Sequence, residues 1–201
     1  MADRCVTVRN CHRFDVIQTL AEEKPLSYDG TRINVLTVAR LTHEKGIERA
    51  IAAVQKTVAR GVPLTLHLVG DGAMRGELQT LAETLGVADC VVFHGEQTNP
   101  YRYMKNADLF LLSSYHEAAP MVIEEARALG VPILTTATTS SHEMVTEAAC
   151  GVVCENTAAA LEEALYRMTA DRERLAEYRA RLTGTADNRV ALAQWDMLLE
   201  K

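Results

Sequence analysis

Six short apolar segments alternate with segments of helical periodicity between residues 33 and 153, and this alternation limits the possible folds severely. The apolar segments span residues 33–38, 64–69, 90–93, 108–112, 131–135 and 151–153. They are nearly continuously hydrophobic, which is typical of strands covered on both faces. Helices between successive strands must then pack on the two faces of one sheet. The pattern therefore predicts an α/β fold with a doubly wound parallel sheet.

The rest of the chain shows mostly helical spacing. Residues 44–60 carry apolar side chains along one helical face, and Gly61-Val62-Pro63 ends the segment. Residues 24–31 are interpreted as a polar linker. The other predicted helices span about 15–23, from the turn at 70–72 to about 85, 100–106, 120–129, 141–149, 158–168 and 171–182, and a last helix carries Val190, Leu192, Trp195, Leu198 and Leu199.

Charge and composition argue against several classes of protein. The 201 residues include 21 Lys or Arg and 27 Asp or Glu, a net charge of −6, whereas a general nucleic-acid binder needs a basic surface. The five Cys show no spacing of a disulfide framework, which indicates a reducing compartment. No apolar run approaches the roughly 20 residues of a membrane span, and the N-terminus has no apolar segment of signal-peptide type. A cytoplasmic protein without a nucleic-acid partner is expected.

Ligands of such sheets bind at the carboxyl ends of the strands, so the residues just after each strand are the first functional candidates. Arg40 and Lys45 follow the first strand and precede a helix. Two cations there suit a phosphate or diphosphate, because Arg offers a bidentate fork and Lys a point charge. The alternative is ordinary surface charge, with Lys45 paired to Glu44 or Glu48. Spacing alone leaves both interpretations open.

A second candidate region follows the fourth strand, in the segment SYHEAAPMVIEEA at residues 114–126. Pro120 suits the first turn of a helix, which places Glu117 in the preceding loop and Glu125 in the second turn. The free N–H groups and the dipole of that helix N-terminus favour an anion. The segment thus offers a carboxylate for sugar hydroxyls, amides for phosphate and a second carboxylate further in. The alternative is that Glu117 only caps the helix and that Glu124 and Glu125 are first-turn acids.

Glycines, histidines and cysteines add weaker signals. Gly70 opens a Gly-Asp-Gly segment that begins like a dinucleotide fingerprint, but the next glycine, Gly76, comes one residue too late. We interpret the segment as a tight strand-to-helix turn that lets a ligand approach the backbone. His67 lies inside a predicted strand and is expected in the core. Cys150 and Cys154 flank a strand without a second pair and are interpreted as core thiols, so no metal site is expected.

These motifs resemble the C-terminal, donor-binding half of family 4 glycosyltransferases, which have the two-domain, Rossmann-like GT-B architecture. The resemblance covers roughly residues 8–200. Its last motif contains the family's Glu-x7-Glu pattern as Glu117 and Glu125, and residues 10–15 resemble a degenerate form of the asparagine-containing segment that precedes this domain. The matching stretches are VLTVARLTHEKGI at 35–47, LVGDGAMRGEL at 68–78, VVFHG at 91–95, ADLFLLSS at 107–114 and EAAPMVIEEARALGVP at 117–132.

The resemblance implies a role for each matching residue. Arg40 and Lys45 would hold the donor diphosphate and stabilise the charge that develops on it. Glu117 would contact and orient the transferred sugar, so that Arg40, Lys45 and Glu117 are the expected catalytic residues. Glu125 would bind the ribose of the nucleotide. Backbone contacts to the donor are expected at Gly70, at His94 and Gly95 near the base, and at Met121 and Val122 near the diphosphate. The family needs no metal cofactor, and a UDP- or GDP-sugar is the expected donor.

The chain departs from the family pattern in two respects. Residues 118–120, Ala-Ala-Pro, replace the usual glycine-rich stretch, which removes an N–H and adds bulk where the sugar lies. The resemblance also implies an N-terminal, acceptor-binding domain, which is expected to be missing from these 201 residues. Residues 1–30 are therefore interpreted as a lead-in from the interdomain region, 31–182 as the nucleotide-sugar-binding domain, and 183–201 as a helix that crosses to the missing domain. The apolar face of that helix is expected to be exposed or to form a homodimer, and any peripheral membrane contact would belong to the missing half.

The sequence thus predicts the donor-binding domain of a retaining glycosyltransferase that moves a hexose to a glycan, lipid or other acceptor. The chain alone is expected to bind the donor without transferring sugar. One alternative is a catalytically degenerate GT-B-like partner, which the Ala-Ala-Pro segment leaves open. Another is a sugar-nucleotide epimerase of the same architecture, which would act without an acceptor.

Overall fold

A six-stranded, all-parallel sheet forms the centre of the computed structural model, which describes residues 8–24, 26–182 and 186–199. The strand order is β3-β2-β1-β4-β5-β6. Chain order reverses between β1 and β4, which makes their carboxyl ends the switch point of the sheet. The prediction of a doubly wound, Rossmann-like sheet is therefore confirmed. The strands are Ile33–Val38 (β1), Leu64–Val69 (β2), Val91–Gly95 (β3), Leu109–Leu112 (β4), Ile133–Thr136 (β5) and Gly151–Cys154 (β6).

Helices cover both faces of the sheet. Successive residues of β1 belong to different hydrophobic clusters, since Val35 packs with helices α2, α3 and α6 while Leu36 packs with α4 and α5. Burial on both sides is the reason that the strands read as continuous apolar runs. The α-helices are Phe14–Glu22 (α1), Ile47–Ala59 (α2), Arg75–Thr84 (α3), Tyr101–Met104 (α4), Met121–Ala128 (α5), Ala158–Thr169 (α6), Arg172–Leu182 (α7) and Arg189–Leu199 (α8).

Two of the predicted helices have a different form. The segment predicted as one helix over 44–60 begins with a 3₁₀ turn, His43–Lys45, and passes through Gly46 in the left-handed region before α2 starts. The segment predicted as a helix over 141–149 is a π-helix, His142–Glu147. The break before α2 arises because Gly46 packs against the loop after β4. Helical periodicity depends on nearby residues only and could not predict this contact.

The cysteines near β6 lie in the core, as predicted. Cys150 and Cys154 are both free and buried. Burial raises the pKa of the Cys150 thiol to about 12 and that of the Cys154 thiol to about 11. Both groups are therefore neutral thiols at physiological pH.

The two ends of the described chain meet beside the sheet. The backbone N–H of His12 donates to Oδ1 of Asn188 at 2.9 Å, and Nδ2 of Asn188 donates to the carbonyl of His12 at 2.7 Å. Helix α1 packs against α4 and α5. Helix α8 buries Ala191 but leaves large apolar side chains exposed, namely Val190, Leu192, Trp195, Met197 and Leu199. Residues 183–185 and 200–201 of the predicted crossing segment lie outside the described residues.

None of the helices formed by residues 8–24, 26–182 and 186–199 combines the length and the hydropathy needed to cross a bilayer.

Candidate functional site

The loops that follow β1 and β4 are joined tightly at the switch point. A Cβ atom on Gly46 would lie 2.3 Å from the carbonyl oxygen of Ser113, so the two backbones touch where only glycine fits. The buried guanidinium of Arg49 donates to the same carbonyl through Nε at 2.9 Å and Nη2 at 2.5 Å. In return, Oγ of Ser113 donates to the carbonyl of Lys45 at 3.0 Å. The junction is thus held by hydrogen bonds before any ligand arrives.

Lys45 and Glu117 face each other across this junction. Nζ of Lys45 lies 2.6 Å from Oε1 of Glu117, and their side chains are only 19% and 12% exposed. Oγ of Ser114, which is fully buried, donates to the same Oε1 at 2.7 Å. Since Lys45 pairs with Glu117, the alternative pairing with Glu44 or Glu48 is wrong. Two residues predicted to serve one ligand are thereby brought into direct contact.

Glu117 does not cap the helix that follows it. Pro120 occupies the N-cap position of α5 and provides no side-chain cap, and Met121 is the first helical residue. Pro120 therefore lies one position before the first turn in which it was predicted. The N–H groups of Met121 and Val122, at the first turn of α5, have no acceptor within the helix. These amides carry the positive end of the helix dipole toward the switch point.

Arg40 stays apart from the Lys45–Glu117 pair. Its side chain is 77% exposed, and Nη2 lies 3.7 Å from Oε1 of Glu44. An exposed pair at that distance contributes little to stability, because water screens it. Of the two predicted cations, Lys45 is therefore held in place by its ion pair, whereas Arg40 is free to move.

Glu125 occupies the second turn of α5, as predicted, but its partner was not predicted. The hydroxyl of Tyr101, the first residue of α4, donates to Oε1 of Glu125 at 3.3 Å. Burial raises the pKa of the Glu125 carboxyl, and the hydrogen bond from Tyr101 opposes that shift. No local pattern connects these two positions, which are 24 residues apart.

Two histidines, His67 inside β2 and His94 near the end of β3, form a hydrogen-bonded pair that the sequence did not predict. His67 is buried, as expected, and its Nδ1 lies 3.0 Å from Nε2 of His94. Nε2 of His67 lies 3.2 Å from Oδ1 of Asn34. Because Nδ2 of Asn34 donates to the carbonyls of Asp29 and Arg32, its Oδ1 must be the acceptor. His67 therefore carries its proton on Nε2, and His94 donates from Nε2 to His67.

This pair makes the fold sensitive to acid. Burial lowers the pKa of His67 from 6.5 to about 4, and burial also lowers the pKa of His94. Above pH 6.5 His67 is neutral in the folded and the unfolded chain, so its titration does not change the free energy of unfolding there. As the pH falls from 6.5 to 4, the unfolded chain binds the proton first, and the free energy of unfolding drops by about 2 to 3 kcal/mol.

Urea unfolding at pH 7.5 and pH 4.5 measures that drop. In the variant His67→Phe the difference between the two pH values is expected to shrink by about 2 kcal/mol. The variant His116→Gln, which changes an exposed histidine, serves as the control and is expected to behave like the parent chain. If the free energy of unfolding of His67→Phe differs between the two pH values as much as that of the parent chain, His67 is not the cause of the sensitivity to acid.

Glycine at position 70 links the ends of three strands. Its N–H donates to the carbonyl of Gly95 at 2.8 Å, and a Cβ atom on Gly70 would lie 2.0 Å from the carbonyl oxygen of Ala39. The φ of Gly70 is +130°, which also favours glycine. The backbone that lies close to the Cα of Gly70 is therefore that of Ala39, in the loop after β1. His94 and Gly95 lie at the end of β3, where their backbone groups border the loop of residues 96–100.

A cavity of about 860 Å³ opens beside the exposed Ala118 and Ala119. Residues of the lead-in, of the π-helix and of α8 form its other walls. The charged groups of its lining pair with one another, for example Arg127 with Glu124 at 2.6 Å and Arg9 with Glu143 at 2.5 Å. Ala118 and Ala119 therefore border open space, whereas Pro120 is buried. Within the residues that the structure describes, no three His, Cys, Asp or Glu side chains could hold a metal ion together.

A doubly wound parallel sheet with a charged pair at its switch point belongs to the Rossmann-like α/β class. Within that class the chain belongs to the family Glycosyl transferases group 1, which matches residues 19–188. The chain is 32% identical over 162 residues to WcaL of Escherichia coli (strain K12), a glycosyltransferase assigned to colanic acid biosynthesis. That match covers 76% of this chain and 40% of WcaL.

Solved structures agree with the family and the fold. The crystal structure of WaaG, a glycosyltransferase involved in lipopolysaccharide biosynthesis, matches with a TM-score of 0.74 and 27% identity, over 86% of this chain and 47% of WaaG. The structure of HepE from Anabaena in complex with UDP matches with a TM-score of 0.81 and 20% identity, over all of this chain and 57% of HepE. The prediction of a Rossmann-like domain of a GT-B glycosyltransferase is confirmed. The chain spans less than half the length of WcaL and of WaaG.

Proposed function

We propose that this chain is the donor-binding domain of a retaining glycosyltransferase that transfers a hexose from a nucleoside diphosphate sugar. The observation that carries the proposal is the contact between Lys45 and Glu117 at the switch point of the sheet. One cation and one carboxylate meet there, and a nucleotide sugar offers a diphosphate for the first and hydroxyls for the second. The UDP bound in the similarly folded HepE supports the same class of ligand.

The diphosphate is held by Lys45 and the N-terminus of α5. The ammonium of Lys45 lies at the junction of the two loops, and the amides of Met121 and Val122 form the N-terminus of α5, which follows the second of these loops. Exposed Arg40 adds a mobile cation at the rim. As the bond to the sugar breaks, negative charge grows on the leaving diphosphate, and Lys45 and the amides of α5, which are held in place, stabilise it.

The sugar binds at Glu117. Its Oε1 already accepts hydrogen bonds from Lys45 and Ser114, whereas Oε2 receives none from any residue that the structure describes. Oε2 is therefore the acceptor for a sugar hydroxyl, and the fixed carboxylate orients the ring. Glu117 is not proposed as a covalent nucleophile.

The nucleoside extends toward β3. Glu125, already hydrogen-bonded to Tyr101, accepts from the ribose hydroxyls. The base lies at the end of β3, against the backbone of His94 and Gly95 and near the turn at Gly70. The His67–His94 pair keeps that strand end in one arrangement.

The complete enzyme requires a second domain for the acceptor, which is a glycan, a lipid or another molecule. Residues 31–182 form the donor domain in this proposal, residues 1–30 lead into it, and residues 183–201 return to the second domain. The exposed apolar side chains of α8 support a docking role for that helix. The chain alone is expected to bind donor and to transfer no sugar.

A thermal-shift screen of the chain against UDP, GDP, ADP and TDP tests the proposal. A nucleotide present at 100 times its dissociation constant stabilises the fold by about 2.7 kcal/mol, and one of the four is expected to do so. The variant Arg40→Ala should weaken that binding by about three- to tenfold, since an exposed charge contributes modestly. Lys56→Ala, which removes an exposed lysine of α2, should leave it unchanged.

No shift with any of the four nucleotides, nor with UDP-glucose or GDP-mannose, would overturn the proposal. That result would favour the catalytically degenerate partner, for which the Ala-Ala-Pro segment is the supporting observation. Conversion of the donor sugar without any acceptor would instead favour an epimerase.

A further inference from the structure

We propose that Glu117 makes this site selective for the intact sugar donor against the free nucleoside diphosphate, and that it does so through its ion pair with Lys45. The inference rests on the proposed donor site and assigns a further task to one of its residues. Glu117 is expected to favour the sugar directly, through a hydrogen bond to a hydroxyl. It is also expected to oppose a bare diphosphate, because it occupies and neutralises the cation that the diphosphate needs.

The geometry of the pair supports this double task. Nζ of Lys45 lies 2.6 Å from Oε1 of Glu117, and both side chains are largely buried. Ser114 donates to the same oxygen at 2.7 Å, so the carboxylate is held in place from two sides. The carbonyl of Lys45 is itself held by Ser113 at 3.0 Å. The empty site therefore presents a nearly neutral, hydrogen-bonded pair rather than an unpaired ammonium.

A free nucleoside diphosphate meets this pair at a disadvantage. Its terminal phosphate must share Nζ of Lys45 with Glu117 or displace the carboxylate from it. Sharing brings two negative groups close together in a partly buried place, where water screens them weakly. Displacement leaves the carboxylate with Ser114 alone and without a counter-charge. Either arrangement lowers the affinity for the diphosphate.

The intact donor does not meet this disadvantage to the same extent. Its sugar hydroxyls reach Oε2 of Glu117, and their O–H groups donate to the negative charge that otherwise repels the phosphates. The carboxylate gains partners when the sugar is present and loses them when the sugar has been transferred. The same contact therefore favours binding of donor and release of the nucleoside diphosphate product.

The neighbouring carboxylates lack this arrangement. Glu125 accepts from the neutral hydroxyl of Tyr101, and Glu44 lies in the solvent-exposed pair with Arg40 at 3.7 Å. Neutralising either of them removes one negative charge without freeing Lys45. Glu44→Gln is thus a control from the same loop as Lys45: it removes one negative charge and breaks only the exposed, 3.7 Å pair with Arg40, which water already screens.

Isothermal titration of the full 201-residue chain with UDP and UDP-glucose, or with GDP and GDP-mannose if those bind, tests the inference. Glu117→Gln is expected to bind the free nucleoside diphosphate about tenfold more tightly than the parent chain, because Lys45 is no longer neutralised. Its affinity for the intact donor should stay equal or fall, so the preference for donor drops by tenfold or more. Inorganic pyrophosphate, which lacks both sugar and nucleoside, should also bind more tightly.

Two controls separate this effect from a structural one. Ser114→Ala keeps the charge of Glu117 and should change the affinity for the free diphosphate by less than about threefold. Glu44→Gln should likewise change it by less than about threefold. If Glu117→Gln fails to fold by circular dichroism, Glu117→Asp, which withdraws the carboxylate from Nζ, should shift the preference in the same direction.

The possible results of these titrations distinguish the inference from the proposed function. Equal weakening of both ligands in Glu117→Gln would mean that Glu117 only positions Lys45, and unchanged affinities would mean that the pair is irrelevant; either result overturns the inference and leaves the proposed function standing. A parent chain that binds neither nucleoside diphosphates nor nucleotide sugars overturns the proposed function and the inference with it.

Discussion

Lys45→Ala is expected to weaken the binding of a nucleoside diphosphate to this chain by about 100-fold, which corresponds to about 2.7 kcal/mol. Two losses combine in this variant. The charge-assisted contact to the phosphates disappears, and Glu117, 12% exposed and 2.6 Å from the missing ammonium, remains as an unpaired carboxylate that repels the ligand. The effect should exceed that of Arg40→Ala, because the side chain of Arg40 is 77% exposed and screened by water.

Isothermal titration with the nucleotide that gives the largest thermal shift measures this loss, and Lys56→Ala serves as the control. The double variant Lys45→Ala/Glu117→Gln should recover about tenfold of the lost affinity, since the repelling charge has been removed with its partner. A loss of less than about threefold in Lys45→Ala would show that the α5 amides bind the diphosphate without the lysine.

Gly46→Ala is expected to lower the free energy of unfolding by about 3 kcal/mol or more. Gly46 has a φ of +58°, and a Cβ atom there would lie 2.3 Å from the carbonyl oxygen of Ser113 and 2.8 Å from Nε of Arg49. Both neighbours are fixed, because Arg49 is buried and bonded to that carbonyl. The substitution must therefore push the loop after β1 away from the loop after β4 and separate Lys45 from Glu117.

Urea unfolding measures the stability of this variant, and nucleotide titration of its folded fraction measures the damage to the site. Gly76→Ala is the matched control: a Cβ atom on Gly76, in the first turn of α3, meets nothing within 4 Å. That variant should be unchanged or more stable by up to about 1 kcal/mol. Similar stabilities for the two variants would mean that the junction at Gly46 yields easily.

The sheet could be predicted from the sequence because its four inner strands, β2, β1, β4 and β5, are buried on both faces and the helices between the strands bury one face. The runs at residues 33–38 and 64–69 correspond to β1 and β2 without change, since nothing but burial decides their composition. The segment at 44–60 was predicted less well. Its break at Gly46 is imposed by Ser113, which is distant in sequence, so helical periodicity continues across a point where the helix cannot.

Candidate site residues could be named from the sequence, but their partners could not. Lys45 and Glu117 are 72 residues apart, and charge spacing offered Glu44 and Glu48 as equally good partners for the lysine. His67 and His94 are 27 residues apart on strands whose neighbourhood depends on strand order. Tyr101 was missed as the partner of Glu125 because it lies on a different helix. These contacts depend on the order of the strands in the sheet, which is determined by the whole chain and not by any local segment.

The position of β1 beside β4 also has a consequence for how the site comes into being during folding. Strands β1 to β3 pair with their neighbours in the sequence, and so do β4 to β6, whereas Thr37 of β1 meets Leu111 of β4, 74 residues further along. The two halves can form by local contacts, but joining them requires a long loop to close. Lys45 comes from one half, and Glu117 from the other. A nucleotide sugar that binds between Lys45 and Glu117, as proposed above, would stabilise only the joined sheet, so its binding would be linked to the pairing of β1 with β4.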